Sequence, residues 1–254
     1  MTFAVTLASS SAGNATLFSN GRTHILLDAG LGIRTLKRNL AAFSLAPEDL
    51  SGIVISHAHG DHTRSLPYIS ESVPVYASSG TSKRLSNRPI AVMPGQIFEI
   101  NDVQVSLFAT PHDCAESTGF LLQDGEKTMV QVTDLGHMSS DVLDVLTSAP
   151  TVFLESNYDH DMLINGHYPW FLKKRIAGYH GHLSNDDCAD AVAHCVKKGL
   201  QNLVLMHLSK ENNTPERAYQ TTTARLAHDG IVVGRDVQVQ VAPRTECCEL
   251  VTLC

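Results

Sequence analysis

The sequence predicts an α/β fold in which two mixed β-sheets are flanked by helices, an αββα sandwich. Strand-like runs dominate the first part of the chain, capped amphipathic segments alternate with apolar runs in the second, and the rhythm of strands followed by helix occurs twice. The chain has 254 residues, and no linker or low-complexity tract interrupts it, so we expect a single domain over residues 1–254. The pattern by itself leaves other α/β layer arrangements open.

Strands are predicted where short apolar or alternating runs lie between turn residues. In the first part these runs are Phe3–Leu7, His24–Leu27, Ile53–Ile55, Val75–Ala77, Val103–Phe108, Gly119–Leu122 and Met129–Val132. Asp124-Gly125 separates the last two runs and predicts a hairpin turn. Helices are predicted at Ile33–Leu40 and, as a short segment, after Asp61.

The second part is predicted to alternate helices with strands. The predicted elements are helix Ser140–Thr147, strand Val152–Glu155, helix Met162–Ile176, a helix from Ser184 to Lys198, strand Leu203–Met206, a helix from Pro215 to Gly230 and strand Val237–Val241. Ser184 is the expected N-cap with Asp187 as its reciprocal acid, and Gly199 is a suitable residue to follow the helix end.

Composition limits the classes of function. The formal charge of −7 argues against a protein that coats nucleic acid nonspecifically. The cysteines show no C-x-x-C spacing, so we expect reduced, structural thiols; they are Cys114, Cys188, Cys195, Cys247, Cys248 and Cys254. No apolar stretch is long enough to span a bilayer, and the N-terminus lacks the basic start of a signal peptide. A cytoplasmic location without membrane association is therefore expected.

A cluster of metal-binding side chains follows one predicted strand. The run Ile53–Ile55 is followed by Ser56-His-Ala-His-Gly-Asp-His62, which brings three histidines and an aspartate into six positions. Imidazole and carboxylate groups are typical ligands of divalent metals. One strand end does not supply two coordination shells, and further candidates follow other predicted strands: Asp28, His112, Asp134 and His207. The joint pattern predicts a metal site.

The sequence resembles the five motifs of the metallo-β-lactamase superfamily, which correspond in chain order to Asp28, the His57–His62 motif, His112, Asp134 and His207. The resemblance covers essentially the whole chain and implies the αββα sandwich of that superfamily with a dinuclear metal site. It implies that His57, His59 and His112 bind one ion. It also implies that Asp61, His62 and His207 bind the second, that Asp134 bridges both, and that Asp28 orients the motif loop through a hydrogen bond.

The implied ligands favour hydrolysis. Two divalent ions about 3.5–4 Å apart lower the pKa of a shared water and supply a bridging hydroxide as the nucleophile. Thiolate ligands are missing from the set, and Ala58 stands where flavodiiron relatives have an acidic residue, so redox chemistry is not favoured. Mixed histidine and aspartate ligation admits zinc or manganese.

Two further stretches point to phosphodiesters. The run Val152–Tyr158, with Glu155, resembles the strand-plus-acid motif of tRNase Z and the β-CASP nucleases, in which the acid supports a ligating histidine. Gly181–Asn185 resembles the β-CASP motif whose histidine contacts the scissile phosphate, which assigns that role to His182. A helix N-terminus at this point adds backbone donors for an anion. The expected catalytic set is therefore Asp61, which is also an implied ligand, with His182, Glu155 and Asp28.

Five signatures resemble the single-domain YycJ/WalJ/VicX family. They are Ser9–Ala15, Thr110–Asp113, Leu154–Asn157, Gly181–Asn185 and His207–Pro215. This family is associated with 5′-to-3′ DNA exonuclease activity and, through it, with DNA repair. The implied partner is nucleic acid, with DNA favoured over RNA, and no obligate protein partner is evident. The segment from Glu155 to His182 is too short for a β-CASP insertion.

Two alternatives remain beside the nuclease. One is a small-molecule hydrolase, either a cyclic phosphodiesterase or a thioesterase of the glyoxalase II type, which the acidic net charge suits slightly better. The other is a metal-stabilised binding scaffold, which is disfavoured because no ligand position is missing. For the segment that contains Trp170, Phe171 and Lys173–Arg175, we favour burial of the aromatic side chains against the core over stacking on bases.

Overall fold

Two mixed β-sheets flanked by helices make up the fold, which confirms the predicted fold class. The computed structural model describes residues 1–86 and 89–253. The strands are β1 Phe3–Ser10, β2 Gly13–Ser19, β3 His24–Leu27, β4 Gly52–Ile55, β5 Val75–Ser78, β6 Ile90–Val92, β7 Ile97–Ile100, β8 Val103–Ala109, β9 Thr118–Asp124, β10 Lys127–Val132, β11 Thr151–Glu155, β12 Asn202–Met206, β13 Gln238–Val241 and β14 Val251–Thr252. The helices are α1 Ile33–Ala41, α2 Gly60–Thr63, α3 Ser79–Ser82, α4 Ser140–Leu146, α5 His160–Asn165, α6 Trp170–Ile176, α7 Asn185–Val196 and α8 Pro215–His228.

The chain divides into two compact units. The first contains residues 1–109, 114–127 and 243–254, and the second contains residues 110–113 and 128–242. Both units are assembled from segments that are separate in sequence. The expectation of a single domain over residues 1–254 stays a prediction.

The first unit contains a mixed sheet with the strand order β14-β1-β2-β3-β4-β5-β6. Strands β14, β1, β2 and β3 pair antiparallel, whereas β3, β4, β5 and β6 pair parallel. The unit also contains the antiparallel strands β7, β8 and β9. Since parallel neighbours end at the same edge, the residues that follow β3 and β4 lie side by side. These residues include Asp28 and the His57–His62 motif.

A bulge in β1 is held by a buried asparagine. The register of β1 against β2 shifts between Thr6 and Ala8. The carbonyl of Leu7, between them, accepts a hydrogen bond from the Asn39 side chain at 2.7 Å. Asn39 belongs to α1, whose Leu36 and Leu40 are fully buried in the same core. The polar side chain is therefore buried without an unmet hydrogen bond, which is the condition for tolerating it in a core.

The second unit contains four parallel strands in the order β10-β11-β12-β13. Val132, Leu154 and Leu205 align across the first three of these strands. Helices connect successive strands, as parallel pairing requires. The carboxyl ends of β10, β11 and β12 therefore share one edge, and Asp134, Glu155 and His207 lie at or just past those ends.

The predicted helix Met162–Ile176 is wrong, because this stretch forms two helices. Helix α5 ends at Asn165, and α6 begins at Trp170 after an N-cap at Pro169. Proline has no backbone N–H and its ring clashes with the carbonyl four residues earlier, so a continuous helix across Pro169 is disfavoured. The segment between the helices turns the chain.

The expectation that Trp170 and Phe171 form a buried face is also wrong. Trp170 is 60% exposed and Phe171 is 74% exposed. None of the residues of α6, all of which the structure describes, is buried. The amphipathic pattern predicted a core-facing helix, but the break at Pro169 leaves a helix of seven residues on the surface.

Four strands were not predicted: β2, β6, β7 and β14. Strand β2 is buried over its whole length, although its sequence contains the polar residues Asn14, Thr16 and Ser19, so it shows no continuous apolar run. Its buried Asn14 is satisfied locally, since its side chain accepts a hydrogen bond from the Ser9 hydroxyl at 2.9 Å. Strands β6 and β14, with three and two residues, are too short to give a periodic signal.

Among the described residues, no helix combines the length and apolar character needed to cross a membrane.

Gly30 allows the chain after β3 to approach the metal motif. A Cβ atom at Gly30 would lie 1.6 Å from the carbonyl oxygen of Asp61, whereas one at Gly32 would meet nothing within 4 Å. The Gly30 amide also donates to the carbonyl of Asn14 at 2.8 Å. Backbone atoms on both sides thus fix this position, and no flexible side chain is available to move away.

We expect Gly30→Ala to lower the free energy of unfolding by about 3 kcal/mol, because the methyl group displaces the backbone that carries Asp61. The matched control Gly32→Ala is expected to change it by less than about 1 kcal/mol. Chemical denaturation of both variants measures the difference. Equal stability of the two variants would contradict the close approach.

Candidate metal centre

Three predicted site residues have an unusual backbone conformation. Asp28, Asp134 and His207 follow β3, β10 and β12 and have φ angles of 60°, 56° and 57°. The left-handed region costs a non-glycine residue on the order of 1 kcal/mol, and such residues concentrate at functional sites. In each case the turn at the strand end directs a polar side chain along the sheet edge.

In the first unit, a buried aspartate anchors the histidine motif. Asp28 accepts hydrogen bonds from the Ser56 amide at 2.9 Å and from Nδ1 of His62 at 2.8 Å. The Ser56 hydroxyl lies 2.9 Å from Oδ1 of Asp28 and 3.0 Å from Nδ1 of His57. Asp28, His57 and His62 are all fully buried. This arrangement fixes two motif imidazoles relative to the end of β3.

The remaining motif residues lie against these imidazoles. Nε2 of His57 lies 2.9 Å from Nδ1 of His59, and the rings of His57 and His62 have centroids 4.2 Å apart. Nε2 of His62 lies 3.5 Å from a carboxylate oxygen of Asp61 and 3.2 Å from the amide nitrogen of Asn14. The first unit therefore brings together the four motif residues and Asp28, as predicted.

In the second unit, Glu155 connects the end of β11 to its neighbours through four hydrogen bonds. Its Oε1 lies 2.9 Å from Nδ1 of His182 and 2.7 Å from Nδ1 of His207. Its Oε2 accepts from the amides of Leu135 at 2.7 Å and Leu183 at 3.1 Å. Glu155 is fully buried, so each of these donors replaces a hydrogen bond to water.

The environment of Glu155 keeps it ionised. Burial by itself would raise its pKa, but the charge and hydrogen bond of His182, followed by those of His207, lower the pKa well below its usual range. Burial works against protonation of His182, yet the Glu155 carboxylate outweighs it and raises the pKa of His182. Because an ionised carboxylate only accepts hydrogen bonds, both Nδ1 atoms facing it carry protons. When the His207 ring is neutral, its Nε2 therefore has its lone pair available to a metal.

His112 is oriented in the same way by a backbone carbonyl. Its Nδ1 donates to the carbonyl oxygen of Gly181 at 3.0 Å. Its Nε2 lies 3.5 Å from a carboxylate oxygen of Asp134. Asp134 is also 3.5 Å from Nδ1 of His182 and 3.8 Å from Nε2 of His207. The second unit thus groups His112, Asp134, His182 and His207 at one sheet edge.

The donor sets fit divalent metal ions. In the second unit, one donor atom each of Asp134, Glu155, His182 and His207 lie within 4.8 Å of one another. His62, His112 and His207 each use Nδ1 on a carboxylate or carbonyl oxygen, which presents Nε2 as the ligand atom. This orientation of imidazoles by an outer hydrogen bond is typical of metal-binding histidines. Histidine nitrogens and carboxylate oxygens suit zinc or manganese.

Two supporting groups were not predicted from the sequence. Ser56 was assigned no role, yet its amide and hydroxyl lie between Asp28 and His57. Gly181 was assigned no role either, yet its carbonyl orients His112. A serine directly before the first histidine is a local signal for the former, whereas a backbone carbonyl gives no sequence signal.

The thiols do not belong to these clusters. The described cysteines, Cys114, Cys188, Cys195, Cys247 and Cys248, form no disulfide with one another, and Cys254 lies outside the described residues. Burial raises the pKa of the Cys195 thiol to about 11 and raises that of Cys188 further. Both thiols are therefore protonated at neutral pH and unreactive.

Comparison with known proteins gives a consistent family. A family model described as "Beta-lactamase superfamily domain" matches residues 23–208. The exodeoxyribonuclease WalJ of Streptococcus pneumoniae is 31% identical over 245 residues, which cover 92% of this chain and 91% of WalJ. The exodeoxyribonuclease YycJ of Bacillus anthracis is 30% identical over 243 residues and 92% of each chain. The metallo-β-lactamase fold protein YhfI of Bacillus subtilis superposes with a TM-score of 0.73 at 16% identity, covering 98% of this chain and 100% of YhfI.

Glu155→Gln tests how far the second cluster depends on its central carboxylate. The amide keeps the shape of the side chain but loses the charge that holds the protons on Nδ1 of His182 and His207. We expect metal affinity to fall about 10- to 100-fold, measured by competition with a chromogenic chelator. The matched control Glu216→Gln, at an exposed position of α8, should bind metal as the wild type does. An unchanged affinity in Glu155→Gln would contradict the orienting role.

Proposed function

The chain belongs to the β-lactamase superfamily and, within it, to the family of the WalJ and YycJ exodeoxyribonucleases, and on that premise we propose that it is a 5′-to-3′ DNA exonuclease. Membership of this family makes it a metal-dependent hydrolase. The observation that carries the narrower proposal is its similarity to two exodeoxyribonucleases over about nine-tenths of each chain.

The proposed ligands are those that the resemblance implies. His57, His59 and His112 would hold one ion, Asp61, His62 and His207 would hold the other, and Asp134 would contribute to both. When bound, two divalent ions activate water and neutralise charge on the phosphodiester. Zinc and manganese are the proposed metals because the donors are imidazoles and carboxylates.

The chain's own residues prepare these ligands. Asp28 holds the proton on Nδ1 of His62, and Glu155 does the same for His207. Neither carboxylate has exposed surface, so we assign them the task of orienting ligands and not of contacting DNA. A cytoplasmic location remains a prediction, as does the preference for DNA over RNA.

We assign a separate role to His182. Its Nδ1 is held by Glu155 at 2.9 Å, and its side chain is 23% exposed, in contrast to the buried His207 on the same carboxylate. Partial exposure is what a residue that meets substrate requires. His182 therefore contacts the scissile phosphate, or gives a proton to the leaving oxygen, and is not a metal ligand.

Metal-replete protein should degrade end-labelled DNA from the 5′ end, and a chelator should abolish the activity. A thiol-alkylating agent should leave it unchanged, because none of the thiols that the structure describes lies in either cluster. Single- and double-stranded DNA and RNA, assayed in parallel with bis(p-nitrophenyl) phosphate, determine the substrate class. Turnover of the small diester without cleavage of any nucleic acid would favour a small-molecule phosphodiesterase. Loss of activity on alkylation of folded protein would contradict the assigned chemistry.

His182→Ala should retain the full metal content and near-normal folding, while the cleavage rate falls by about 10²- to 10⁴-fold. The matched control is His194→Ala, which removes an exposed imidazole from α7 and should cleave at the wild-type rate. Loss of a metal from His182→Ala would make His182 a ligand. A wild-type rate would leave it no role beyond its position before α7.

A further inference from the structure

The second unit exposes large apolar side chains in one short segment. Among the described residues, Ile164, Trp170, Phe171 and Tyr179 are exposed by 39%, 60%, 74% and 65%. We call residues 164–180 the exposed segment. Single exposed apolar residues need no explanation, but large aromatic groups concentrated in one stretch are typical of a binding surface.

The charge of this segment differs from that of the chain. The protein has a formal charge of −7, yet residues 162–185 contain Lys173, Lys174 and Arg175 and no aspartate or glutamate. The cations have different tasks. Lys173 donates to the carbonyls of Ile164 and Gly166 at 2.6 and 2.7 Å, which braces the turn between α5 and α6. Lys174 lies over the Trp170 ring, 5.4 Å from its centroid.

Arg175 connects the segment to the metal cluster of the same unit. Its Nε donates to a carboxylate oxygen of Asp113 at 2.6 Å. Asp113 follows the predicted ligand His112, whose Nε2 lies 3.4 Å from the other Asp113 oxygen. The segment also leads directly into Gly181 and His182. A ligand on the segment is thus adjacent to the residues proposed to act on phosphate.

Tyr179 supplies a second stacking position. Its ring is stacked on that of His137 with centroids 3.5 Å apart and planes inclined by 27°. Nδ1 of His137 lies 3.1 Å from the Tyr179 carbonyl oxygen, which holds the pair together. An aromatic ring that is supported on one face and exposed elsewhere loses little freedom when a base stacks on it.

We propose that the exposed segment binds single-stranded DNA, with bases stacked on Trp170, Phe171 and Tyr179 and phosphates near Lys174. The proposal deepens the nuclease function and rests on it for the identity of the strand. Aromatic surface interleaved with cations is the combination that grips single strands without reading their sequence. A nuclease that degrades DNA stepwise needs such sequence-independent contacts.

The single tryptophan makes the proposal directly measurable. Trp170 is the only tryptophan of the chain, so indole fluorescence reports this segment alone. Metal-replete protein is titrated with a short oligothymidylate whose phosphorothioate linkages slow cleavage, and with an abasic oligomer of the same length and charge. We expect the first to quench Trp170 emission and the second to leave it nearly unchanged, because stacking requires a base.

Substitutions separate stacking from charge. Phe171→Ala should weaken binding of the oligothymidylate about 5- to 100-fold. Lys174→Gln should weaken binding and reduce the slope of log Kd against log salt concentration by about 0.7. The matched control is Tyr68→Ala, which removes an aromatic side chain of the first unit that is 67% exposed and should bind as the wild type does. Circular dichroism confirms that each variant is folded.

Several outcomes would overturn the proposal. These are unchanged Trp170 emission at saturating oligomer, wild-type affinity in Phe171→Ala, and equal quenching by the abasic oligomer. A wild-type dimer that Phe171→Ala converts to monomer in sedimentation would assign the surface to a second copy of the chain. The cleavage assay keeps the two proposals apart. Quenching without cleavage supports this surface and rejects the nuclease, whereas cleavage without quenching rejects this surface alone.

Discussion

The candidate metal cluster of the second unit depends on the hydrogen bonds of one buried carboxylate, which faces only donors. Glu155 receives two imidazole N–H groups and two backbone amides, with no exposed surface of its own. An ionised group in such a position is stable only while its partners stay in place. Since those partners follow β10 and β12 and precede α7, one side chain fixes the mutual positions of three chain segments.

Asp28 has the equivalent task in the first unit. It follows β3 in the left-handed conformation and accepts from the Ser56 amide and from His62. In both units a carboxylate at the end of a parallel strand decides which imidazole nitrogen carries the proton. The other nitrogen is then presented to a metal, which lowers the cost of organising the site when the ion binds. The left-handed backbone conformations of Asp28, Asp134 and His207 cost free energy in the folded state.

The sequence predicted most elements because their signals are local. Short apolar runs located β3 and β4, the serine N-cap located α7, and Pro215 located the start of α8. The Ser184 hydroxyl accepts a hydrogen bond from the Asp187 amide at 3.0 Å, as expected of an N-cap. The Asp187 carboxylate accepts from the Ser184 hydroxyl at 2.7 Å and not from the Ser184 amide, so the reciprocal half of the capping box is not formed. The predictions that failed concern segments whose structure depends on tertiary packing. Strand β2 is buried on both faces, and helix α6 has an apolar pattern without a core to cover.

Asp28 and the candidate metal ligands were found because they follow predicted strands, which is a positional signal that the sequence preserves, whereas Glu155 and His182 were found through the family resemblance. Their grouping within each unit agrees with that reasoning, whereas their division between two ions comes from the family resemblance. The supporting carbonyl of Gly181 and the exposure of Trp170 were not predictable, since both depend on how the chain between α5 and α7 turns. That turn also carries the surface that we propose to bind single-stranded DNA.

The number of metal ions per chain tests the central assignment most directly. Elemental analysis of fully reconstituted wild type should give two equivalents, and Asp134→Ala should give fewer, because Asp134 is the only ligand assigned to both ions. Fewer than two equivalents in the wild type, or two in a folded Asp134→Ala variant, would contradict the proposed centre.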